Sequence, residues 1–354
     1  MLALRCRFVL LSLAAVLLTA CDPFASPEGL FEEYVTRTAR VLDGEVVLTP
    51  VPTLDPLPRR RERMREIPAL DVSMLDFLGL YGCELQHVIG ERNSIMGRVM
   101  HPATVFDYEV RFLRTARECA ETIDSERLAA RIREIIEAKR AQIPDAAWNA
   151  VWGTGEIEDF LSRSGGSLAV EVERDLASTM ASDLRALVDV VGRVQGGDLG
   201  VDVKLLDGVY QRWQARPLAG QALRAAMLAT IRLDDASRLI EARLGERPMC
   251  ARPDLQPRAA ENMRGMFMSV YVGRVQPYLA DLQRVRRELM PPLQALASIG
   301  GGRSETVVSY ARRMFGDEDE ASLWRSFDLA VARHTRAWQD LLEQCGMRPG
   351  QETG

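Results

Sequence analysis

Few residues in this sequence have the types and spacing that catalysis or metal binding requires. The three histidines, His87, His101 and His334, are far apart in the chain, and none belongs to an H-E-x-x-H zinc motif. His334 falls on the apolar face of a predicted helix, which is typical of a hydrogen-bonded core histidine rather than of a base or a ligand. We therefore predict no metal site and no cofactor, and we assign no catalytic residue.

Three other stretches could bind a ligand, but each has a simpler structural interpretation. The acidic run Asp317–Glu320 lacks the spacing of a calcium loop, and it fits a capping box at the start of the last helix. The run Gly300–Ser304 precedes a helix and could cradle phosphate, but it lacks the Lys-Ser/Thr pair of a P-loop, which favours a flexible turn. Met263, Met266 and Met268 could line an adaptable groove, although core packing explains them more simply. No pair of a nucleophile and a base is apparent in the sequence.

Four cysteines, Cys83, Cys119, Cys250 and Cys345, have a spacing that favours disulfides over metal binding. No two of them form a C-x-x-C pair, and four cysteines in an exported chain suggest two bridges with three possible connectivities. We predict Cys250–Cys345 because the last two long helices should run antiparallel and bring these two residues together. The pair Cys83–Cys119 then follows mainly by elimination.

The second pair meets a geometric difficulty in a straight helical hairpin. Cys83 and Cys119 would be offset by about 12 Å along the helix axes, at about 1.5 Å per residue. A disulfide needs Cα atoms within about 7 Å of each other. The pair therefore requires a tilted crossing or a second helix that begins before Ala103.

The amino-terminal segment contains basic residues, then an apolar run, then small residues. Arg5 and Arg7 precede an apolar stretch of about 11 residues, which is shorter than the roughly 20 that a membrane-spanning helix needs. Cys21 directly follows Leu18-Thr19-Ala20, and this arrangement resembles the bacterial lipobox. The resemblance implies that residues 1–20 are a cleaved signal peptide and that Cys21 carries a diacylglyceryl group and a further acyl chain such as palmitate.

An anchor of this kind would keep the protein at a membrane. Two or more acyl chains bind a bilayer stably, at about 0.8 kcal/mol per buried CH₂ group. Asp22 after the cysteine resembles the enterobacterial signal that retains lipoproteins at the inner membrane. We therefore expect a lipid-anchored protein that faces the periplasm, and the sequence favours the inner membrane over the outer.

The charge of the chain excludes one class of partner. The formal net charge is -5, and it becomes -7 when the two arginines of the signal segment are removed (-5 - 2). This mild acidity argues against nucleic acid, which requires a basic surface. Lys139 and Lys204 are the only lysines, so almost every positive charge is an arginine.

The segment after the first predicted helix differs from the rest of the chain. Five prolines between residues 50 and 68 exclude a continuous helix and favour an extended conformation. Val46–Leu48 could form a short strand or pack along the body. The basic run Arg59–Arg63 could contact anionic lipid near the anchor, although a solvated linker or a helix start is the simpler interpretation.

From residue 71 onward the apolar residues recur with helical spacing, and we find no period-2 run long enough to build a sheet. We therefore predict an all-α fold, a multi-helix bundle of long amphipathic helices that follows a short helix and a Pro-rich extended segment. The predicted regions are a signal peptide (1–20), a lipidated amino terminus with the short helix and the linker (21–70), and a helical domain (71–354). The predicted helices are 26–42, 73–93, 103–123, 124–143, a short one with Trp148 and Trp152, 156–164, 168–194, 201–215, 218–244, 258–290, 304–315 and 318–345.

Two of these helices carry more specific predictions. In 73–93, Met74, Leu78 and Tyr81 belong to the apolar face. In 258–290, Pro277 removes a hydrogen bond and crowds the carbonyl group of Gly273, which predicts a kink.

The whole chain resembles an uncharacterised family of bacterial lipoproteins. The shared features are the lipobox, the short helix that contains Tyr34–Leu42, the Pro-rich connector and the cysteine-containing helical body. The resemblance implies a class of protein without an established activity. We expect a non-enzymatic protein that binds an envelope protein or a ligand; the alternatives are an enzyme that acts on envelope lipid or cell wall, and a carrier of a small apolar ligand.

Overall fold

The computed structural model of the chain describes residues 22–68, 73–246, 248–250 and 257–347, and the regular elements in these ranges are all helical. The predicted all-α fold is therefore confirmed. Cys21 and the predicted signal peptide, residues 1–20, lie outside the described residues, so the anchor stays a prediction. The α-helices are α1 (Pro27–Val41), α2 (Arg60–Arg63), α3 (Met74–Gly79), α4 (Glu84–Asn93), α5 (Pro102–Thr122), α6 (Glu126–Trp152), α7 (Gly155–Phe160), α8 (Arg174–Gln195), α9 (Leu206–Ala215), α10 (Leu218–Gly245), α11 (Arg258–Met266), α12 (Gln276–Ala297), α13 (Glu305–Phe315) and α14 (Leu323–Glu343).

One large core joins both ends of the described chain. Helix α10 packs along α14, and it also contacts α1 and α12, while α12 packs against α8. Helices α5 and α6 form a long antiparallel hairpin, to which α4 adds a third layer. Because α1 contacts α10 and its Tyr34 also contacts His334 and Trp338 of α14, the amino-terminal segment is part of the core.

The local signals that begin α1 act as the sequence predicts. Ser26 caps the helix, since its hydroxyl group accepts a hydrogen bond from the amide of Gly29 at 3.0 Å. Pro27 occupies the first turn. Backbone N–H groups there have no acceptor within the helix, so a proline costs no hydrogen bond.

The predicted helix 73–93 is wrong, because the chain forms two shorter helices, α3 and α4, with a turn around Gly82 (φ +90°) between them. The predicted apolar face is also wrong for the first part. Met74, Leu78 and Tyr81 are exposed to solvent, Tyr81 by 89%.

The predicted stop before Pro144 is wrong as well, because α6 continues through this proline to Trp152. A proline inside a helix costs about 3 kcal/mol, and the burial of two tryptophans outweighs this cost. Trp148 and Trp152 are fully buried, and the indole of Trp152 donates a hydrogen bond to the carbonyl oxygen of Leu296 at 3.0 Å.

The long helix predicted at 258–290 extends to Ala297 and contains a π-helical segment, Phe267–Val275, between α11 and α12. This segment lies directly before Pro277, and the amide of Gln276 donates to the carbonyl group of Tyr271, five residues back. The chain thus accommodates the proline through a wider helical turn.

Residues 45–68, which we call the strap, run extended over the helical body apart from the short helix α2. Thr49 binds the carboxylate of Asp235 on α10 through its amide and its hydroxyl group, at 3.1 and 2.6 Å. Further along, the carbonyl oxygen of Arg63 accepts a hydrogen bond from the indole of Trp148 at 2.6 Å. Val46–Leu48 form no strand with the described residues.

The basic run in the strap has a structural role. Arg63 is 1% exposed and forms an ion pair with Glu158, and Arg60 donates to the carbonyl oxygen of Gly153 at 2.8 Å. These contacts connect the strap to the end of α6 and to α7, so Arg60 and Arg63 are not a solvated linker, whereas the interpretation of the run as a helix start agrees with α2.

The structure contains both predicted disulfides, Cys83–Cys119 and Cys250–Cys345, with Cα–Cα distances of 5.6 and 5.2 Å. The first pair forms although α5 begins at Pro102, only one residue before the predicted start at Ala103. A 3₁₀ turn, Met96–Val99, lies between α4 and α5.

Candidate functional site

The strap closes a cavity of about 720 Å³ over the hairpin of α5 and α6. Residues 64–68 of the strap form one wall, and the end of α4 with the start of α5 forms the opposite wall. This volume lies in the range of small-molecule sites in proteins. We call this space the strap cavity.

The strap is held at the cavity by paired hydrogen bonds. The side-chain amide of Asn149 accepts from the backbone N–H group of Arg65 at 2.7 Å and donates to its carbonyl oxygen at 2.8 Å. The hydroxyl group of Ser304 donates to the carbonyl oxygen of Glu62 at 2.9 Å. The wall formed by the strap is therefore fixed to α6 and to the start of α13.

A buried ion pair joins α5 to α6 at the cavity. The ammonium group of Lys139 lies 2.6 Å from the carboxylate of Glu109, and their side chains are 7% and 3% exposed. Lys139 also lies 5.5 Å from the ring centres of Tyr108 and Phe112, which is within the range of a cation–π interaction. Burial raises the pKa of Glu109, and Lys139 opposes this shift.

The charges around the strap cavity are mostly positive. Four basic side chains line it, Arg60, Arg65, Arg92 and Lys139, against two acidic ones, so the formal charge of the wall is +2 (4 - 2). The remaining wall is largely apolar and includes Ile89, Val105 and Phe112. In a chain with a net charge of -5, this wall favours a ligand with an apolar body and an anionic group.

Arg65 is the cationic group of the cavity that is most available to a ligand. Its side chain is exposed and has no hydrogen bond or ion pair among the described residues, although its backbone is fixed by Asn149. Arg92, by contrast, already donates to the carbonyl oxygen of Gly97 and lies over the ring of Tyr108.

The histidines and the acidic run that the sequence singles out lie elsewhere and are not brought together. His87 is exposed on α4, and His101 caps α5 and lies 3.1 Å from Glu156. Asp317 contacts Arg286 at 3.0 Å instead of capping the last helix. The predicted capping box is wrong because α14 begins at Leu323 with Ser322 as its cap.

His334 is a core histidine, as predicted. Its Nε2 atom accepts a hydrogen bond from the hydroxyl group of Tyr34 at 2.5 Å, and Trp338 donates to that hydroxyl oxygen at 2.8 Å. Burial lowers the pKa of His334 to about 3. Since this group is fully buried and lines none of the cavities described here, we assign it to packing between α1 and α14.

The methionines agree with core packing at two of three positions, because Met263 and Met266 are buried and Met268 is half exposed. Within the described ranges, no group of three histidine, cysteine or acidic side chains is arranged to hold a metal ion. No helix of the described chain combines the length and the apolar composition of a membrane span.

Sequence reasoning missed the strap cavity, because Glu109 and Lys139 are separated by thirty residues. The amino-acid composition contained one indication that Lys139 is unusual. Lys139 is one of two lysines among 45 basic residues, and it stands on a helix in which the other basic residues are arginines.

Comparison with known proteins gives a family without an activity. No curated protein and no solved structure matches the chain. A family model described as "Protein of unknown function (DUF3080)" matches residues 31–349, which span the strap, both disulfides and all the residues named above for the cavity. The chain therefore belongs to this family of unknown function.

Proposed function

We propose that this protein is a non-enzymatic, lipid-anchored binding protein of the bacterial cell envelope, and that its strap cavity binds a small ligand with an apolar body and an anionic group. The observation that carries the proposal is the cavity wall, which combines apolar side chains with a formal charge of +2 (4 - 2). An anionic amphiphile complements both features.

The lining of the cavity favours binding over catalysis. Among the described residues that line it, none is a serine, threonine, cysteine or histidine. Nucleophilic catalysis by a hydroxyl group of serine or threonine, by a thiol or by an imidazole requires one of these side chains. Lys139 is engaged with Glu109, so its ammonium group can attract an anion but is poorly suited to attack a carbonyl group.

The anchor is supported by sequence alone. Cys21 follows Leu18-Thr19-Ala20, and Ser26 caps α1 only five residues later. An acylated Cys21 would therefore hold the body close to the membrane surface, on the periplasmic side. Replacing Cys21 with Ser should remove the acyl chains, and mass spectrometry should find no lipid on the peptide that contains residue 21. A variant that remains lipidated would refute the anchor.

The cavity is tested with a matched pair of probes. The first is 11-(dansylamino)undecanoic acid, and the second is its methyl ester, which has the same apolar body without the charge. We expect the full-length protein in mild detergent to enhance the fluorescence of the acid at lower concentrations than that of the ester. If both probes bind equally, the cavity is an apolar carrier site and the proposed anionic selectivity is wrong.

Two arginines of the strap provide the variant and its control. Arg65 lines the cavity, whereas Arg61 is exposed and does not line it. Arg65→Gln should weaken binding of the acid about twofold to fivefold, since an exposed ion pair contributes up to about 1 kcal/mol, and it should leave the ester unchanged. Arg61→Gln should change neither probe.

A second variant tests the location. Val105→Trp adds a large side chain at the cavity wall, and binding of both probes should be lost while the circular dichroism spectrum remains helical. If Val105→Trp folds and still binds the acid as tightly as the unmodified protein, the ligand site is not the strap cavity.

A further inference from the structure

A second cavity borders another face of α6, and we propose that it binds a phosphoryl group. The cavity has a volume of about 600 Å³ and is lined by three arginines, Arg117 on α5, Arg140 on α6 and Arg303 before α13. No aspartate or glutamate is among the described residues that line it. We call this space the arginine cavity.

Arg117 is the most informative of the three arginines. Its side chain is half-buried, its Nε atom is buried without a hydrogen-bond partner, and no carboxylate of the described chain lies within ion-pair distance. Burial lowers the pKa of Arg117, and the like charge of Arg140 acts in the same direction, whereas Glu137 opposes the shift. An anion between these groups would remove both unfavourable effects.

The other two arginines have carboxylate neighbours outside the cavity wall. Arg140 contacts Glu137 at 3.0 Å, and Glu137 is 70% exposed, so water competes strongly for this pair. Arg303 lies 3.5 Å from Asp145. When both carboxylates are counted, the group still carries one uncompensated positive charge (3 - 2), at Arg117.

Two glycine turns complete the wall and give the cavity its space. The amide of Gly197 donates to Val194 at 3.0 Å, and that of Gly302 donates to Ile299 at 3.1 Å, so these amides are not available to an anion. Gly300 has a φ of +60°, and a Cβ atom there would lie 3.1 Å from the Nε atom of Arg303. The glycine run predicted as a flexible turn therefore sets the position of Arg303.

The arrangement suits a phosphoryl group better than a carboxylate. One arginine is sufficient to bind a planar carboxylate through two parallel hydrogen bonds. Here three arginines from three separate elements line one cavity, and a tetrahedral oxyanion has acceptors that point in several directions. A phosphate ester in solution and the head group of a phospholipid share this chemistry.

Calorimetric titration of the full-length protein in a non-ionic detergent tests the proposal. Inorganic phosphate, glycerol 3-phosphate and dihexanoyl phosphatidic acid are titrated separately, and acetate is the control anion. We expect at least one phosphoryl compound to bind about tenfold more tightly than acetate. Preference for the lipid would indicate a head-group site, and preference for the first two compounds would indicate a soluble ligand. If no phosphoryl compound binds more tightly than acetate, the proposal is wrong.

Matched variants locate the binding. Arg117→Gln should weaken binding at least about tenfold, since a hydrogen bond to a charged group contributes about 1.5–3 kcal/mol. Arg133→Gln is the control, because Arg133 is exposed on α6 and pairs with Glu126. Equal affinity in the two variants would overturn the proposal. Arg65→Gln should leave phosphate binding unchanged, so this test is independent of the strap cavity.

Discussion

The buried imidazole of His334 predicts a specific loss of stability in acid. The side chains packed on it, Tyr34, Tyr271 and Trp338, carry no charge that would stabilise an imidazolium ion. Its Nε2 atom is occupied by the hydroxyl group of Tyr34. The folded state therefore holds the neutral form, and burial lowers the pKa from 6.5 to about 3.

The size of the effect follows from the two pKa values. Below a pH of 6.5 the unfolded chain binds a proton at this position, whereas the folded chain does not until about pH 3. The free energy of unfolding should thus decrease by about 1.36 kcal/mol for each pH unit below 6.5. Between pH 7 and about pH 4.5, this histidine alone should cost about 2.7 kcal/mol.

The variant His334→Gln isolates this contribution, because glutamine offers an acceptor to Tyr34 and does not titrate. Urea unfolding followed by circular dichroism at pH 7 and at pH 4.5 measures the change for each protein, so that the titration of carboxylates common to both cancels. We expect the unmodified protein to lose about 2.7 kcal/mol more than His334→Gln. The exposed His87 provides the control, and His87→Gln should retain the full acid sensitivity. Equal losses in the unmodified protein and in His334→Gln would refute the reasoning.

Two further predictions concern the connections that hold the fold. Trp148→Phe removes the donor to the buried carbonyl group of Arg63 and should lower the free energy of unfolding in urea by about 1–3 kcal/mol. The control variant Trp213→Phe removes a buried N–H group without a partner and should lower it less. Equal losses would contradict the role of the strap contact. Replacing Cys250 and Cys345 with Ser removes a disulfide between residues 95 positions apart. The same change at Cys83 and Cys119 removes a disulfide between residues 36 positions apart. Chain entropy predicts losses of about 5 and about 4 kcal/mol, and the reverse order in thermal unfolding would contradict this account.

The sequence predicted those parts of the fold that depend on local periodicity and on capping. Helix α8 follows the predicted apolar stripe from Leu176 to Val194, although it begins at Arg174 and the predicted start at Leu168 is wrong, and Ser26 caps α1 as its position suggests. Such features depend on residues within a few positions of one another, so one sequence is sufficient to find them.

The errors arose where distant contacts outweigh local preference. Nothing near Pro144 indicates that α6 continues, because the compensation comes from Trp148 at the strap and from Trp152 at Leu296. In α3 the local pattern predicted burial that does not occur. Several of its apolar residues have helical spacing, but they are exposed because no other element of the described chain packs on that face.

Both cavities escaped prediction for the same reason. The strap cavity depends on contacts between residues 60–68 and α6, and the arginine cavity depends on three separate elements. The glycine run Gly300–Gly302 was visible as a possible anion loop, but its partner Arg117 lies more than 180 positions earlier. A pattern search along the chain does not connect residues at such separations.

The contact between Tyr34 and His334 has a consequence for how the protein is made. These residues are 300 positions apart, and a ribosome adds about 5–20 residues per second. Helix α1 therefore emerges roughly 15–60 s before its partner α14 exists. During that time the part of α1 that packs against α14 has no native partner, although α10 is made earlier, so the complete core forms only after synthesis has ended. A chain with this topology stays partly open until its last helix arrives, which is the state that a protein needs if it must cross a membrane before it folds.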